Sequence, residues 1–367
     1  MKQKIKVILL STIVCLLFFV SCTGSYILAA VENEIKLKKA TANGTIREIL
    51  KIGDSLYLGS ATVKTKKVFE QGAWTVLPAP EKALVCTSIA TDGTTLYATF
   101  MNVYEDTSSG VYYYDTTQST WIKVPDSEEI QHVSGTGAVF GTKTVTTLTG
   151  GGTEVEHEEM TVYTVNTGGV ASIKTFQADG KEASHITAAG GDYFATEEGV
   201  FNSAAARVDS LPDGEKIVAI DSTGTYFLSE TKLYYGSDWS KSYLHGIRSP
   251  TSVTSIDIHG VSLLLVSSND RYSGGYAEIV LDTADITKCV TKRPATFQES
   301  STPEKCKDQY DSSIARYLCS VVFGEALTSG GYYVYVGLND AHFANYTGLW
   351  GLYVDPAYPE NTQWNRE

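Results

Sequence analysis

From residue 46 onward the chain is built of short runs of Val, Ile, Leu, Tyr, Phe and Thr, broken by Gly, Asp and Asn. Such alternating or briefly continuous apolar runs predict β-strands, and no long segment after Ala30 keeps a helical period. The strands recur in a fixed order. Residues 46–78 carry an apolar strand ending at Ile52-Gly53-Asp54, then Leu56-Tyr57-Leu58, then Lys67-Val68-Phe69, then a strand from Trp74 to Pro78. Residues 82–125 repeat that order: Leu84 to Ile89, the turn Asp92-Gly93, Leu96-Tyr97, Val111-Tyr112, and Trp121 to Pro125. Weaker copies follow at 129–178, 183–212, 215–246, 251–290 and 312–367, marked by Ala138-Val139-Phe140, Tyr193-Phe194, Tyr226-Phe227-Leu228, Leu263 to Val266, and Tyr332 to Val336.

Seven units of roughly 46 residues match the period of four-stranded β-propeller blades. The expected fold is therefore all-β: a propeller of seven four-stranded blades over residues 32–367. Six or eight blades, or a β-sandwich, are the alternatives, because units three to five are faintly marked. A ring of twisted sheets leaves only short, protected edges. The segment Glu34-Ile35-Lys36-Leu37 is a candidate for closing the ring. Residues 32–367 resemble bacterial β-propeller lipoproteins in pattern, without the Gly-His and Trp-Asp marks of WD40 repeats or the Asp-box of sialidase-type propellers.

The N-terminus carries a different signal. Lys2, Lys4 and Lys6 precede 14 mostly apolar residues, Val7 to Val20, a run too short for a helix to cross a ~30 Å bilayer core. Ser21-Cys22 follows. The stretch resembles a bacterial lipoprotein signal; Phe19 stands where the usual pattern has Leu, a departure that the looser signals of spirochaete lipoproteins tolerate. The resemblance implies a signal peptide over 1–21, lipidation at Cys22 and a tether over 22–31. Two or three acyl chains would anchor the protein stably in a lipid bilayer. The alternative is plain secretion with cleavage near Ala29-Ala30. The expected location is the cell envelope, at the outer membrane or a periplasmic face.

Composition narrows the partners. There are 42 acidic and 29 basic side chains, net −13, and loss of residues 1–21 removes three lysines and no acid, giving −16. No basic field attracts nucleic acid. Of 6 cysteines, Cys15 leaves with the signal. Cys289 and Cys306 bracket a polar, Pro-containing stretch and are expected to form a disulfide, since exported proteins can hold them. Cys86 and Cys319 sit in apolar runs as core residues. No Cys or His spacing suits a metal, and no cofactor or catalytic motif stands out.

In propellers, the connections from second to third strand and from one blade to the next share a face. Here the long ones fall in units two, three, six and seven, neighbours on a closed ring once unit one is added. Long loops on a rigid scaffold tend to carry function. The candidate binding face comprises Tyr104, Glu105 and Asp106; His157 within an acidic run at 154–159; Asp270, Arg271 and Tyr272; and Asp340, His342, Phe343 and Tyr346. Aromatic, Arg and Asn side chains suit a protein or glycan partner. A monomeric, non-enzymatic binding or assembly module is the leading expectation; the rival is a glycan- or lactone-acting hydrolase with its site at the channel mouth.

Overall fold

A computed structural model describes residues 42, 44–68, 74–105, 107–149, 155–178, 185–208, 215–236, 238–270, 275–292, 318–328, 330–339, 347–354 and 364–367. Its strands form seven separate antiparallel sheets. Blade one holds β1 (Glu48–Ile52), β2 (Ser55–Gly59), β3 (Val63–Lys67) and β4 (Thr75–Val76). Blade two holds β5 (Leu84–Thr91), β6 (Leu96–Asn102), β7 (Thr107–Asp115) and β8 (Thr120–Lys123). Blade three holds β9 (His132–Ser134), β10 (Phe140–Thr149), β11 (Val155–Asn166) and β12 (Gly169–Ala178). Blade four holds β13 (Ala188–Gly190), β14 (Tyr193–Thr196) and β15 (Gly199–Asn202), and blade five β16 (Ile217–Ile220), β17 (Tyr226–Ser229), β18 (Lys232–Tyr235) and β19 (Asp238–Leu244). Blade six holds β20 (Pro250–Ile258), β21 (Val261–Ser268), β22 (Tyr276–Val280) and β23 (Val290–Lys292), and blade seven β24 (Cys319–Ala326), β25 (Tyr332–Leu338), β26 (Gly348–Val354) and β27 (Trp364–Arg366).

Each sheet is a meander in chain order, and the first strands of all seven line one central cavity. The molecule is a seven-bladed propeller. Its blades fall where the sequence repeat put them, with one difference. Among the described residues blade four has three strands, and Phe201–Arg207 is only an isolated bridge in the fourth position. The intervening Ser203-Ala204-Ala205-Ala206 lacks the β-branched and aromatic residues that hold a strand.

Apolar side chains pack between blades, sheet face on sheet face. Leu50, Tyr57, Ile89, Phe100 and Trp121 bury the seam of blades one and two; Phe140, Phe176, Phe194 and Phe201 fill that of three and four. The ring closes where Ala42 bridges blade seven: its N–H donates to Glu367 O (3.3 Å) and its carbonyl accepts from Leu349 N–H (3.0 Å). The predicted closing segment 34–37 lies outside the described residues.

Hydroxyl side chains stitch neighbouring first strands. Ser320 Oγ donates to Ile46 O (2.5 Å), Thr251 Oγ1 to Cys319 O (2.9 Å), Thr254 Oγ1 to Val322 O (3.0 Å) and Thr187 Oγ1 to Ile217 O (2.5 Å). Blades three and four touch by backbone instead: Gly191 N–H donates to Thr136 O (2.9 Å) and Ala138 N–H to Gly191 O (2.7 Å). That approach requires glycine. A Cβ on Gly137, at φ 124°, would sit 2.7 Å from Gly191 O.

Candidate functional site

Strand polarity divides the propeller into two faces. A second strand ends where its first strand begins, so the β6–β7, β10–β11, β21–β22 and β25–β26 connections share one face with the blade-to-blade crossings. The channel mouth on that face is built by the starts of the seven first strands. Four of them, β5, β16, β20 and β24, carry a bulge there: the register skips Thr87, Val218, Thr251 and Ser320. Bulges at such rims re-aim side chains and backbone groups.

Three ionisable residues meet this mouth: Arg47 and Glu48 at the start of β1, and His132 at the start of β9. Arg47 Nη1 donates to Cys86 O (2.9 Å) and Thr87 O (3.1 Å), the bulged end of β5. Glu48 Oε2 accepts from Ile89 N–H (2.6 Å). Burial raises the Glu48 carboxyl to about 8 against the pull of that hydrogen bond and of Arg47. His132 is surrounded by channel walls although water reaches its ring. Desolvation, then the Arg47 charge, lowers it to about 4. At the opposite mouth Lys51 of β1 pairs with Glu325 of β24. The cavity between the two measures about 580 Å³. Among the described residues no group of three or more His, Cys, Asp or Glu could hold a metal ion.

Of the residues expected on the binding face, Tyr104, Glu105, His157 and Asp270 are among those described. Tyr104 and Glu105 occupy the tight β6–β7 turn, with Tyr104 85% and Val103 48% exposed. Asn102 Oδ1 accepts from Tyr104 N–H (3.0 Å) and fixes the turn. The connection is shorter than the expected Asn102–Gly110, because Thr107 and Ser108 pair with Asn102 and Met101. His157 and residues 155–159 are not a loop tip either. They extend β11, with Val155 opposite Thr149 and Glu159 opposite Val145. A Thr- and Val-rich partner strand, Thr142 to Thr149, draws the acidic run into the ladder. Because β9 reaches β10 only at Thr142, the hairpin beyond Thr144 stands roughly 15 Å past the mouth. Asp270 begins the β21–β22 connection, its N–H donating to Ser268 Oγ (3.3 Å). Asp106, Arg271, Tyr272, Asp340, His342, Phe343, Tyr346, Cys22 and Cys306 lie outside the described residues.

Cys289, expected to bond Cys306, is a buried free thiol in the core of blades five and six, while Cys306 itself lies outside the described residues. Asp282 N–H donates to the Cys289 Sγ (3.3 Å). A three-residue 3₁₀ turn, Ile286–Lys288, carries the chain inward and buries Ile286 beside it. Cys86 and Cys319 are buried free thiols, as expected of core residues, and burial pushes both thiols up, Cys86 to about 12.

Arg47, Glu48 and His132 are not among the residues that the sequence singles out. A usable signal existed. Arg47-Glu48 and Gln131-His132 open first strands, where blades two, six and seven have Thr87-Ser88, Thr251-Ser252 and Ser320.

The structure is a seven-bladed β-propeller with its longest described hairpin and the mouth lined by Arg47, Glu48 and His132 on one face. The TP013X lipoprotein family model matches residues 2–367, and the chain belongs to that family. No curated protein matches it. Among solved structures it is similar to the WD40 β-propeller domain of Doa1, at 11% identity and TM-score 0.41 over 80% of this chain and 90% of that one. It is also similar to the computationally designed Ika8 protein, at 11% identity and TM-score 0.42 over 85% of this chain and 97% of that one. A third is the N-terminal domain of Nup159, at 10% identity and TM-score 0.35 over 88% of this chain and 76% of that one.

Proposed function

We propose that this lipoprotein is anchored in the cell envelope through acyl chains on Cys22 and presents its hairpin-bearing face to a protein partner. The anchor would sit at the outer membrane or a periplasmic face, and the propeller would act as a monomeric assembly or adhesion module. The observation that carries the reading is the pairing of a projecting β10–β11 hairpin with the exposed Val103-Tyr104 turn on the adjacent blade. An exposed aromatic on a rigid two-strand turn is the kind of anchor that dominates protein interfaces. Its low side-chain entropy makes it suited to recognition.

The test places a photo-crosslinking amino acid at Tyr104 and, separately, at Val261, whose β20–β21 turn lies on the opposite face. Irradiation of intact cells should give discrete protein adducts from position 104 and none from 261. Equal adducts, or none from either, would refute the reading. Glycan-array binding lost in Tyr104→Ala would reassign the partner to glycans. The anchor is tested with radiolabelled palmitate, which should enter the parent chain and not Cys22→Ala.

A further inference from the structure

The channel mouth holds polar capacity that the fold leaves unused. Arg47 spends one guanidinium nitrogen, Nη1, on the carbonyls of Cys86 and Thr87. Among the described residues its Nε and Nη2 have no hydrogen-bond partner, and the side chain lines the cavity while exposed to solvent. Glu48 likewise commits Oε2 to Ile89 N–H and leaves Oε1 without a partner among the described residues. Ser134 Oγ, on the same strand as His132, is buried without a hydrogen-bond partner among the described residues, and Ser134 lines the same cavity.

Charge at this mouth is lopsided. The ionisable residues lining the cavity are Arg47, Glu48, Lys51, His132 and Glu325, and Lys51 is neutralised by Glu325 at the far mouth. With Glu48 raised to about 8 and His132 lowered to about 4, both are mainly uncharged at pH 7. Arg47 is then the single unneutralised charge among these groups, inside a chain of net −13. One guanidinium with free donors matches one carboxylate, which it can hold through two parallel N–H···O bonds. A phosphate dianion would leave a second charge unmatched in a confined site. The cavity, about 580 Å³, falls within the size range of small-molecule sites.

We propose that the channel mouth is a binding site for a small monocarboxylate ligand, gripped by Arg47 and seated in the channel between the first strands. The site is separate from the Tyr104 turn, so protein docking and ligand binding can fail independently.

The experiment is ¹⁹F NMR of trifluoroacetate with the mature chain from Cys22 in detergent micelles. Acetate, glucuronate and inorganic phosphate serve as competitors. Saturable binding is expected at pH 7, displaced by the carboxylates and at least tenfold less well by phosphate. Arg47→Gln should weaken binding at least tenfold and Arg47→Lys less, both in chains whose thermal melts show them folded. Raising the pH from 7 to 9 ionises Glu48 and should weaken binding about tenfold. In Glu48→Gln that pH ratio should fall to about one; the other titratable and charged groups around Glu48 are Arg47, Cys86 and His132, with the Lys51–Glu325 pair at the far mouth. Absence of saturable binding, binding within twofold in folded Arg47→Gln, or equal competition by phosphate would each overturn the proposal.

Discussion

Removing the Glu367 carboxylate should loosen the seam that closes the ring. Glu367 Oε2 accepts from Lys66 Nζ at 2.5 Å, and the two side chains are 18% and 5% exposed. Lys66 Nζ also lies 5.7 Å from the Trp74 ring centroid, so the cation sits between an aromatic face and its only ion-pair partner among the described residues. Breaking a buried pair by deleting one member costs about 3–5 kcal/mol. Because Glu367 is partly wet, Glu367→Ala should cost about 2–3 kcal/mol, nearer the range between exposed and buried pairs. Lys66→Met keeps an apolar stem over Trp74 and leaves a carboxylate that can turn to water, so it should cost about 1 kcal/mol. The double variant should lose little more than Lys66→Met alone, a coupling of about 2 kcal/mol. Urea unfolding followed by circular dichroism measures all three, and Glu367→Ala should also lower Tm by roughly 5 °C. Hydrogen exchange localises the effect: the Ala42 and Leu349 amides, which bond across this seam, should lose protection first. Costs that add within about 0.5 kcal/mol would show that the pair does not act as a unit.

Three further outcomes follow from the inner strands. Glu48 has a folded pKa near 8 against an unfolded value near 4.5, so its contribution is full below pH 4.5 and is lost as pH rises through 8. Stability measured by urea titration should therefore fall between pH 5 and 8 in the parent chain, and the slope should be visibly flatter in Glu48→Gln. Asp221 is fully buried and accepts from Thr223 Oγ1 (2.6 Å), Thr225 N–H (2.8 Å), Tyr226 N–H (2.8 Å) and Ser255 Oγ (2.8 Å). Asp221→Ala should cost about 3–5 kcal/mol by stranding those donors, and a loss under about 1 kcal/mol in denaturant unfolding would contradict it. Gly190→Ala would put a methyl 2.3 Å from Asp221 O, a backbone atom that cannot step aside. A drop of about 1–3 kcal/mol is expected from such overpacking, read from the same titration.

The blades were legible because each strand must bury one or both faces, and burial writes itself as apolar spacing. Leu56-Tyr57-Leu58 and Leu96-Tyr97-Ala98 are second strands pressed between neighbouring sheets, so their apolar blocks recur at the blade period. Strand ends were less legible. Thr107-Ser108 and Val155 to Glu159 carry polar residues that a ladder accepts when the partner strand offers matching backbone groups. The channel mouth was least legible. The pair Arg47-Glu48 lies far from His132 in sequence, and only ring closure puts blades one and three around one axis. The missed burial of Cys289 has a similar cause. Asp282, Ala284 and Asp285 look like solvent-exposed loop, yet Asp282 Oδ1 accepts two amides of that turn, Ala284 N–H (3.0 Å) and Asp285 N–H (2.9 Å), and the turn leads the thiol inward.

The two channel mouths differ in a way that bears on which can bind. On the β16–β17 turn side, Gly137, Gly190, Gly191 and Gly224 bring blades three to five into backbone contact, and Gly191 has no room for a Cβ against Gly224 at 2.7 Å. The amides of Gly137, Gly191 and Gly224 donate to Thr91 O (2.8 Å), Thr136 O (2.9 Å) and Asp221 O (2.9 Å), and Lys51 and Glu325 neutralise each other. At the other end the bulges at Thr87, Val218, Thr251 and Ser320 break the ladder and spread the strand starts. There the hydroxyls of Thr251 and Ser320 are committed to neighbouring blades, while guanidinium nitrogens of Arg47 and one oxygen of Glu48 are not. Stitching the ring accounts for the hydroxyls but gives no reason for an arginine and a carboxyl raised toward neutrality, side by side, where serine or threonine serves the other blades. The projecting hairpin and the Tyr104 turn stand on this same open side.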